Sequence, residues 1–151
     1  GDWEADTVLG KNGTGAIVSL VERKSKFYLI RKVPVKSAAE VSRAMVGMLW
    51  RYRRHVHTIT ADNGTEFCGH ELVAEKLKTD VYFANPYSSW ERGLNENFNG
   101  LLRQYISKGT DLSTITDEQI AQAQRALNLR PRKCLGYKQP EVVFNKLRGA
   151  A

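Results

Sequence analysis

Three acids in this chain stand where a carboxylate needs an explanation: Asp6, Asp62 and Glu96. Asp6 interrupts the run Trp3, Ala5, Thr7, Val8, Leu9, which otherwise has the composition of a central strand. A carboxylate buried there is costly unless a cation or hydrogen bonds compensate it. The alternative is an edge strand with one polar side, because Asp2, Glu4 and Asp6 alternate onto the same face. Asp62 opens an Asp-Asn-Gly sequence, which suits either an acid held at a strand end or plain turn chemistry. Glu96 falls within a stretch where Leu94, Phe98, Leu101, Leu102 and Tyr105 make one apolar stripe at helical spacing. At 100° per residue it points away from that stripe, beside Arg92, Asn99 and Arg103. A charged face of this kind either meets a charged substrate or is simply solvated. Two further acids compete: Glu91, whose place at a helix start suits the helix dipole, and Glu66, just past the Asp-Asn-Gly turn.

The elements that must position these acids follow from periodicity. Trp3 to Leu9, Ala16 to Glu22 and Phe27 to Val33 read as three strands in antiparallel meander order, the first two joined through a hairpin turn at Lys11-Asn12-Gly13. Ser37 and Glu40 form a capping box ahead of a helix with Val41, Ala44, Met45, Met48 and Leu49 on its core face. Val56 to Ala61 is a β-branched strand that ends at Asp62. A short helix from Glu71 to Lys78, a short strand from Val81 to Ala84 and a long helix from Trp90 to Ile106 come next. Thr116 to Gln119 repeats the capping box before a helix over Asp117 to Leu129, and Pro140 opens a last helix with Val143, Phe144 and Leu147.

This order implies an α/β fold with a five-stranded mixed sheet, three antiparallel strands then two parallel, and helices on both faces. A right-handed crossover makes the first and fourth strands parallel neighbours. Asp6 and Asp62 then converge on the crevice where the connections diverge, the usual binding place of an open α/β sheet.

The 151 residues suffice for one domain with a proper core, and no repeat or linker divides them. No apolar run has the length of a membrane span, so no membrane partner is expected. The net charge of +7 suits a polyanionic partner, nucleic acid before lipid, or simply a soluble surface. Cys68 and Cys134 form no Cys-x-x-Cys unit, which fits a reducing intracellular compartment. The start at Gly rather than Met suggests an excised fragment. His55 and His57, beside Arg51, Arg53 and Arg54, suit a surface position better than a metal site, and Tyr87 and Trp90 suit packing better than base stacking.

Several strings carry a resemblance across nearly the whole chain in consistent order. They are Trp-Glu-Ala-Asp-Thr-Val from Trp3, Thr-Ala-Asp-Asn-Gly-Thr-Glu-Phe from Thr60 and Tyr-Phe-Ala-Asn-Pro-Tyr from Tyr82. Trp-Glu-Arg-Gly-Leu-Asn-Glu-Asn-Phe-Asn-Gly follows from Trp90, and Leu-Asn-Leu-Arg-Pro-Arg-Lys-Cys-Leu-Gly-Tyr from Leu127. The chain resembles the DDE transposases of the insertion-sequence-thirty family, within the retroviral-integrase-like superfamily. Asp2 departs from the family pattern by placing one more acid on the Asp6 face.

The resemblance implies an RNase H-like fold over residues 1–151 and a catalytic set of Asp6, Asp62 and Glu96. These would hold two Mg²⁺ ions, or Mn²⁺ in their place, Asp6 bridging both and the other two acids capping one each. Hard oxygen ligands suit such ions, so neither Cys nor His is required. The implied activity is cleavage and joining of DNA strands at insertion-sequence ends, with a hydrolytic nuclease or a non-catalytic DNA-binding regulator as the other readings. Candidate DNA contacts are Arg92, Asn99, Arg103, Lys108, Arg130, Arg132 and Lys133, which would position phosphates without reading sequence. Transposon ends and target DNA are the expected partners, with a homodimer or larger assembly on paired ends, acting in the bacterial cytoplasm at the nucleoid. Full-length members carry an N-terminal helix-turn-helix region, which this chain lacks.

Overall fold

The structure is a computed structural model, and it describes residues 1–85, 88 and 93–149. Five strands form one sheet in the order β3-β2-β1-β4-β5. They are β1 (Asp2–Leu9), β2 (Ala16–Glu22), β3 (Tyr28–Val33), β4 (Thr58–Ala61) and β5 (Asp80–Phe83). β2 pairs antiparallel with both β1 and β3, whereas β4 pairs parallel with β1 and β5. The expected mixed sheet is therefore present, and β1 lies at its centre. That position removes the edge-strand explanation of Asp6.

Helices cover both faces. On one side α1 (Ala38–Leu49), α2 (His70–Leu77) and α5 (Pro140–Gly149) pack over Trp3, Ala5, Leu20, Leu29 and Ile59. Phe144 of α5 stacks on Phe27 at 4.3 Å and meets Trp3 edge-on at 5.7 Å. On the other side α3 (Gly93–Leu102) and α4 (Asp117–Leu129) bury Phe98, Leu102, Ile120 and Leu127 against Val8, Ile17, Tyr28 and Ile30. Odd residues of β1 thus face the first layer, and Glu4, Asp6 and Val8 face the second.

Local chemistry explains most element ends. Thr116 and Gln119 make the full reciprocal capping box at the start of α4. At α1 only half of that motif forms: the Ser37 side chain accepts from the Glu40 backbone, while the Glu40 carboxylate pairs with Arg43. The β1–β2 link is longer than a tight hairpin. Asn12 and Gly13 do take positive φ, but inside a 3-10 turn over Lys11–Gly13. The long helix is shorter than its apolar stripe suggests, ending at Leu102 where backbone bonds tighten to three-residue spacing at Gln104 and Tyr105. Its expected start at Trp90 lies outside the described residues.

The outer edge of β3 is closed by amides of α4. Asn128 accepts from the Tyr28 backbone N–H and donates to the Tyr28 carbonyl, both at 2.8 Å, and Gln124 accepts from the Ile30 N–H at 2.9 Å. An edge strand with its N–H groups satisfied this way cannot recruit another strand there.

Candidate active site

The β1–β4 ladder pairs Asp2 with Thr58, Trp3 with Ile59 and Glu4 with Thr60, and then stops. Asp6 and Asp62 each lie two residues beyond its last pair, on the face that α3 covers. They sit past the C-terminal end of the parallel ladder, Asp6 within β1 and Asp62 just beyond β4, where an open α/β sheet presents its binding crevice.

α3 is keyed to β1 by two hydrogen bonds. The Asn95 backbone N–H donates to Glu4 Oε2 at 3.2 Å, and Asn99 Nδ2 donates to Asp6 Oδ2 at 2.8 Å. Four helical residues rise about 6 Å and two strand residues about 6.6 Å, so helix and strand share a repeat here. Glu96 projects from the margin of this helix into solvent, about 60° around the axis from Asn99 by helical geometry.

Asp6 is half-buried with both oxygens engaged: Oδ1 accepts from the Thr7 backbone N–H at 2.8 Å, and Oδ2 from Asn99. Asn99 is oriented in turn, since its Oδ1 accepts from Ser19 Oγ at 3.1 Å and from the Tyr28 hydroxyl at 3.2 Å. Burial pushes the Tyr28 phenol well above its ordinary value, which keeps it a donor. Ser19 interrupts the apolar, buried run from Ala16 to Val21 directly opposite Asp6, and that interruption was the available signal for the network.

Asp62 Oδ1 accepts from the Gly64 N–H at 2.9 Å, the expected turn bond, so its turn role and its place at the strand end coexist. Glu66, the competing acid, is buried on the opposite face of β1 from Asp6. Its Oε1 accepts from Lys36 Nζ at 2.8 Å and from Thr7 Oγ1 at 2.9 Å. Burial raises its pKa, but Lys36 and Thr7 outweigh that and hold it below the ordinary carboxylate value. Glu4, also buried, is paired with Arg23.

A cleft of about 380 Å³ is lined by Thr7, Val8, Leu9, Asn99, Arg103 and Lys108. Arg103 and Lys108 are thus brought to one groove with Asn99, the residue that holds Asp6. Arg130 lies further along, bonded to Gln104 and the Tyr105 hydroxyl. Arg132 is turned inward, its guanidinium 4.9 Å from the Phe98 ring and donating to the Leu127 carbonyl. Burial, then the neighbouring Arg130, lowers its pKa. Lys133 is exposed, and Arg92, Glu91, Tyr87 and Trp90 lie outside the described residues. Both cysteines are exposed free thiols.

The donors that Asp6 and Asp62 bring to this place are all carboxylate oxygens. Such donors fit a hard divalent ion. Among the described residues, no three His, Cys, Asp or Glu side chains stand close enough to enclose one.

The profile of the integrase core domain matches residues 1–89, which include both strand aspartates. The chain belongs to the integrase core domain family. It is 49% identical over 147 residues to the transposase for insertion sequence element IS4351 of Bacteroides fragilis, covering 97% of this chain and 45% of that protein. It is 35% identical over 147 residues to transposase InsI for element IS30A of Escherichia coli K12, covering 97% of this chain and 38% of that protein. This integrase core therefore spans less than half the length of those relatives. Its fold matches the crystal structure of the catalytic core domain of BIV integrase, with a TM-score of 0.77 at 20% identity over 99% of this chain and 96% of that one. The likeness extends through α3, α4 and α5, beyond the residues that the family profile matches. No helix among the described residues is long and apolar enough to cross a membrane.

Proposed function

We propose that this protein is the catalytic core of a transposase that cleaves and joins DNA strands at insertion-sequence ends, with Asp6, Asp62 and Glu96 as its catalytic acids. The observation that carries the reading is the shared placement of Asp6 and Asp62. Both stand two residues past the β1–β4 ladder, with α3 keyed to the same strand through Asn95 and Asn99.

Divalent ions, Mg²⁺ or Mn²⁺, would be held by the three carboxylates as a pair and would supply charge neutralisation at phosphorus and activation of the nucleophile. The chain's own groups do the rest. The Thr7 N–H and Asn99 fix the Asp6 carboxylate before any ligand arrives, and the Gly64 N–H fixes Asp62. Arg103 and Lys108 line the adjoining cleft and can grip phosphates, and Arg92, Arg130 and Lys133 are further candidates for phosphate contact. Asn99, by contrast, serves DNA indirectly by holding Asp6, and Arg132 by bracing Phe98 of α3.

In the first reaction water attacks a phosphodiester at the element end, breaking the P–O bond and leaving a free 3′-hydroxyl. In the second, that 3′-oxygen attacks target DNA, one phosphodiester forming as another breaks. Paired ends imply a homodimer or larger assembly, working in the bacterial cytoplasm at the nucleoid.

The test is Asp62→Asn in the full-length protein, with linear DNA carrying the element's ends and Mg²⁺. We expect joined products from the wild type, and from the variant loss of cleavage with DNA affinity retained. Unchanged cleavage in Asp62→Asn overturns the site. Nicked but never joined strands from the wild type overturn strand transfer in favour of a hydrolytic nuclease.

A further inference from the structure

Asp6 and Asp62 would be register partners if the β1–β4 ladder continued, but it ends at Glu4 and Thr60. Beyond that point β1 stays paired with β2 alone, and β4 with β5. Backbone hydrogen bonds therefore do not set the separation of the two aspartates. One tie across the parting strands is a side chain. Glu66, four residues past Asp62, reaches Thr7, the immediate neighbour of Asp6, at 2.9 Å.

The setting of that tie is built rather than incidental. Glu66 is 5% exposed, and Lys36, on the segment leading into α1, supplies its counter-charge at 2.8 Å. Gly64 makes the approach possible: a Cβ there would overlap Glu66 Oε2 and come within 2.8 Å of Asp62 Oδ1. The Glu66 and Asp62 carboxylates thus face one another over the Gly64 backbone. A buried carboxylate without Lys36 would carry a large desolvation cost and a free negative charge beside the catalytic acids.

We infer that Glu66, neutralised by Lys36 and anchored on Thr7, is a positioning residue that sets the spacing of Asp6 and Asp62 and so the affinity of the site for divalent metal. The inference rests on the proposed metal-binding role of those aspartates. Glu66 acts from the opposite face of β1, through the backbone of Thr7 and the turn at Gly64.

The experiment measures Mn²⁺ binding to the full-length protein by calorimetry, and its melting temperature in metal-free buffer, for Thr7→Val, Glu66→Ala, Glu66→Gln and Asp62→Asn. Thr7→Val preserves shape and removes only the hydroxyl that ties the strands. We expect it to weaken Mn²⁺ binding about 10-fold, the lower end of what removing a support behind a metal ligand costs, with little change in melting temperature. Glu66→Ala should weaken binding at least as much, and Glu66→Gln, which can still accept from Thr7, should restore part of it. Wild-type affinity in both Thr7→Val and Glu66→Ala overturns the inference. If Asp62→Asn also binds Mn²⁺ like the wild type, the metal site itself is misassigned, a failure separable from that of Glu66.

Discussion

Asp6 and Glu96 are placed by opposite means. Asp6 lies on the central strand with both oxygens hydrogen-bonded, and the amide that holds it is itself held by Ser19 and Tyr28. Glu96 is exposed on a helix, and its position depends on how α3 docks: on Phe98 and Leu102 below, and on Asn95 and Asn99 at the side. One acid is fixed by its own contacts, the other by its neighbours' contacts. Substitutions can test how deep that difference goes.

In catalysis the two should be alike. Asp6→Asn and Glu96→Gln each remove a carboxylate from the proposed metal site, and each should lower the rate of strand cleavage by about a thousandfold or more, equivalent to about 4 kcal/mol. A single-turnover cleavage assay reads this directly. A mild effect at Glu96 alone would break the comparison and return attention to the other acids.

In stability the support of Glu96 should be costly to remove. Phe98 is 2% exposed, packed 5.1 Å from the Tyr28 ring and under the Arg132 guanidinium. Phe98→Ala should cost about 3–5 kcal/mol by denaturant unfolding. It should also depress cleavage beyond the unfolded fraction, because α3 carries Glu96 and the clamp on Asp6 together. Retained cleavage per folded molecule would show that the helix does not need this anchor to deliver its acid.

The contrast also explains what the sequence made legible. The sheet order, the helices on both faces and the convergence of Asp6 with Asp62 follow from alternation, turn signals and crossover handedness, all local or nearly so. Glu96 was separable from its apolar stripe by angle alone. The supports were harder to see because they join residues distant in sequence: Asn99 to Ser19 and Tyr28, Asn128 to the edge of β3, and Lys36 to Glu66. Polar interruptions such as Ser19 marked that something was there, but a single chain does not say what they face. Arg132 shows the converse, since composition marks it as a phosphate contact and packing turns it onto Phe98.

Asp6→Asn should differ from Glu96→Gln in metal-free stability. An asparagine at position 6 must present one amide nitrogen either to the Thr7 N–H or to Asn99 Nδ2, both of them donors. Flipping Asn99 relieves the clash only if the Ser19 and Tyr28 hydroxyls turn from donating to accepting. The substitution thus forces the network to rearrange and replaces hydrogen bonds to a carboxylate by neutral ones, and we expect a loss of about 1–3 kcal/mol. Chemical denaturation without metal checks it, and an unchanged midpoint would mean that the Asp6 clamp holds no energy of its own.

The smallest effect expected is the most discriminating. Glu96 makes no hydrogen bond or ion pair with another described residue, so Glu96→Gln should change metal-free stability by no more than about 0.5 kcal/mol. A ligand that binds only the folded state raises the melting temperature by mass action. Mn²⁺ should therefore stabilise the wild type more than Glu96→Gln at equal concentration, although the two melt together without it. An equal rise in both proteins would mean that Glu96 takes no share of the ion, leaving Asp6 and Asp62 to hold it alone. A smaller rise in the variant would show that the helix acid, silent in the folding of the domain, contributes only once metal is present.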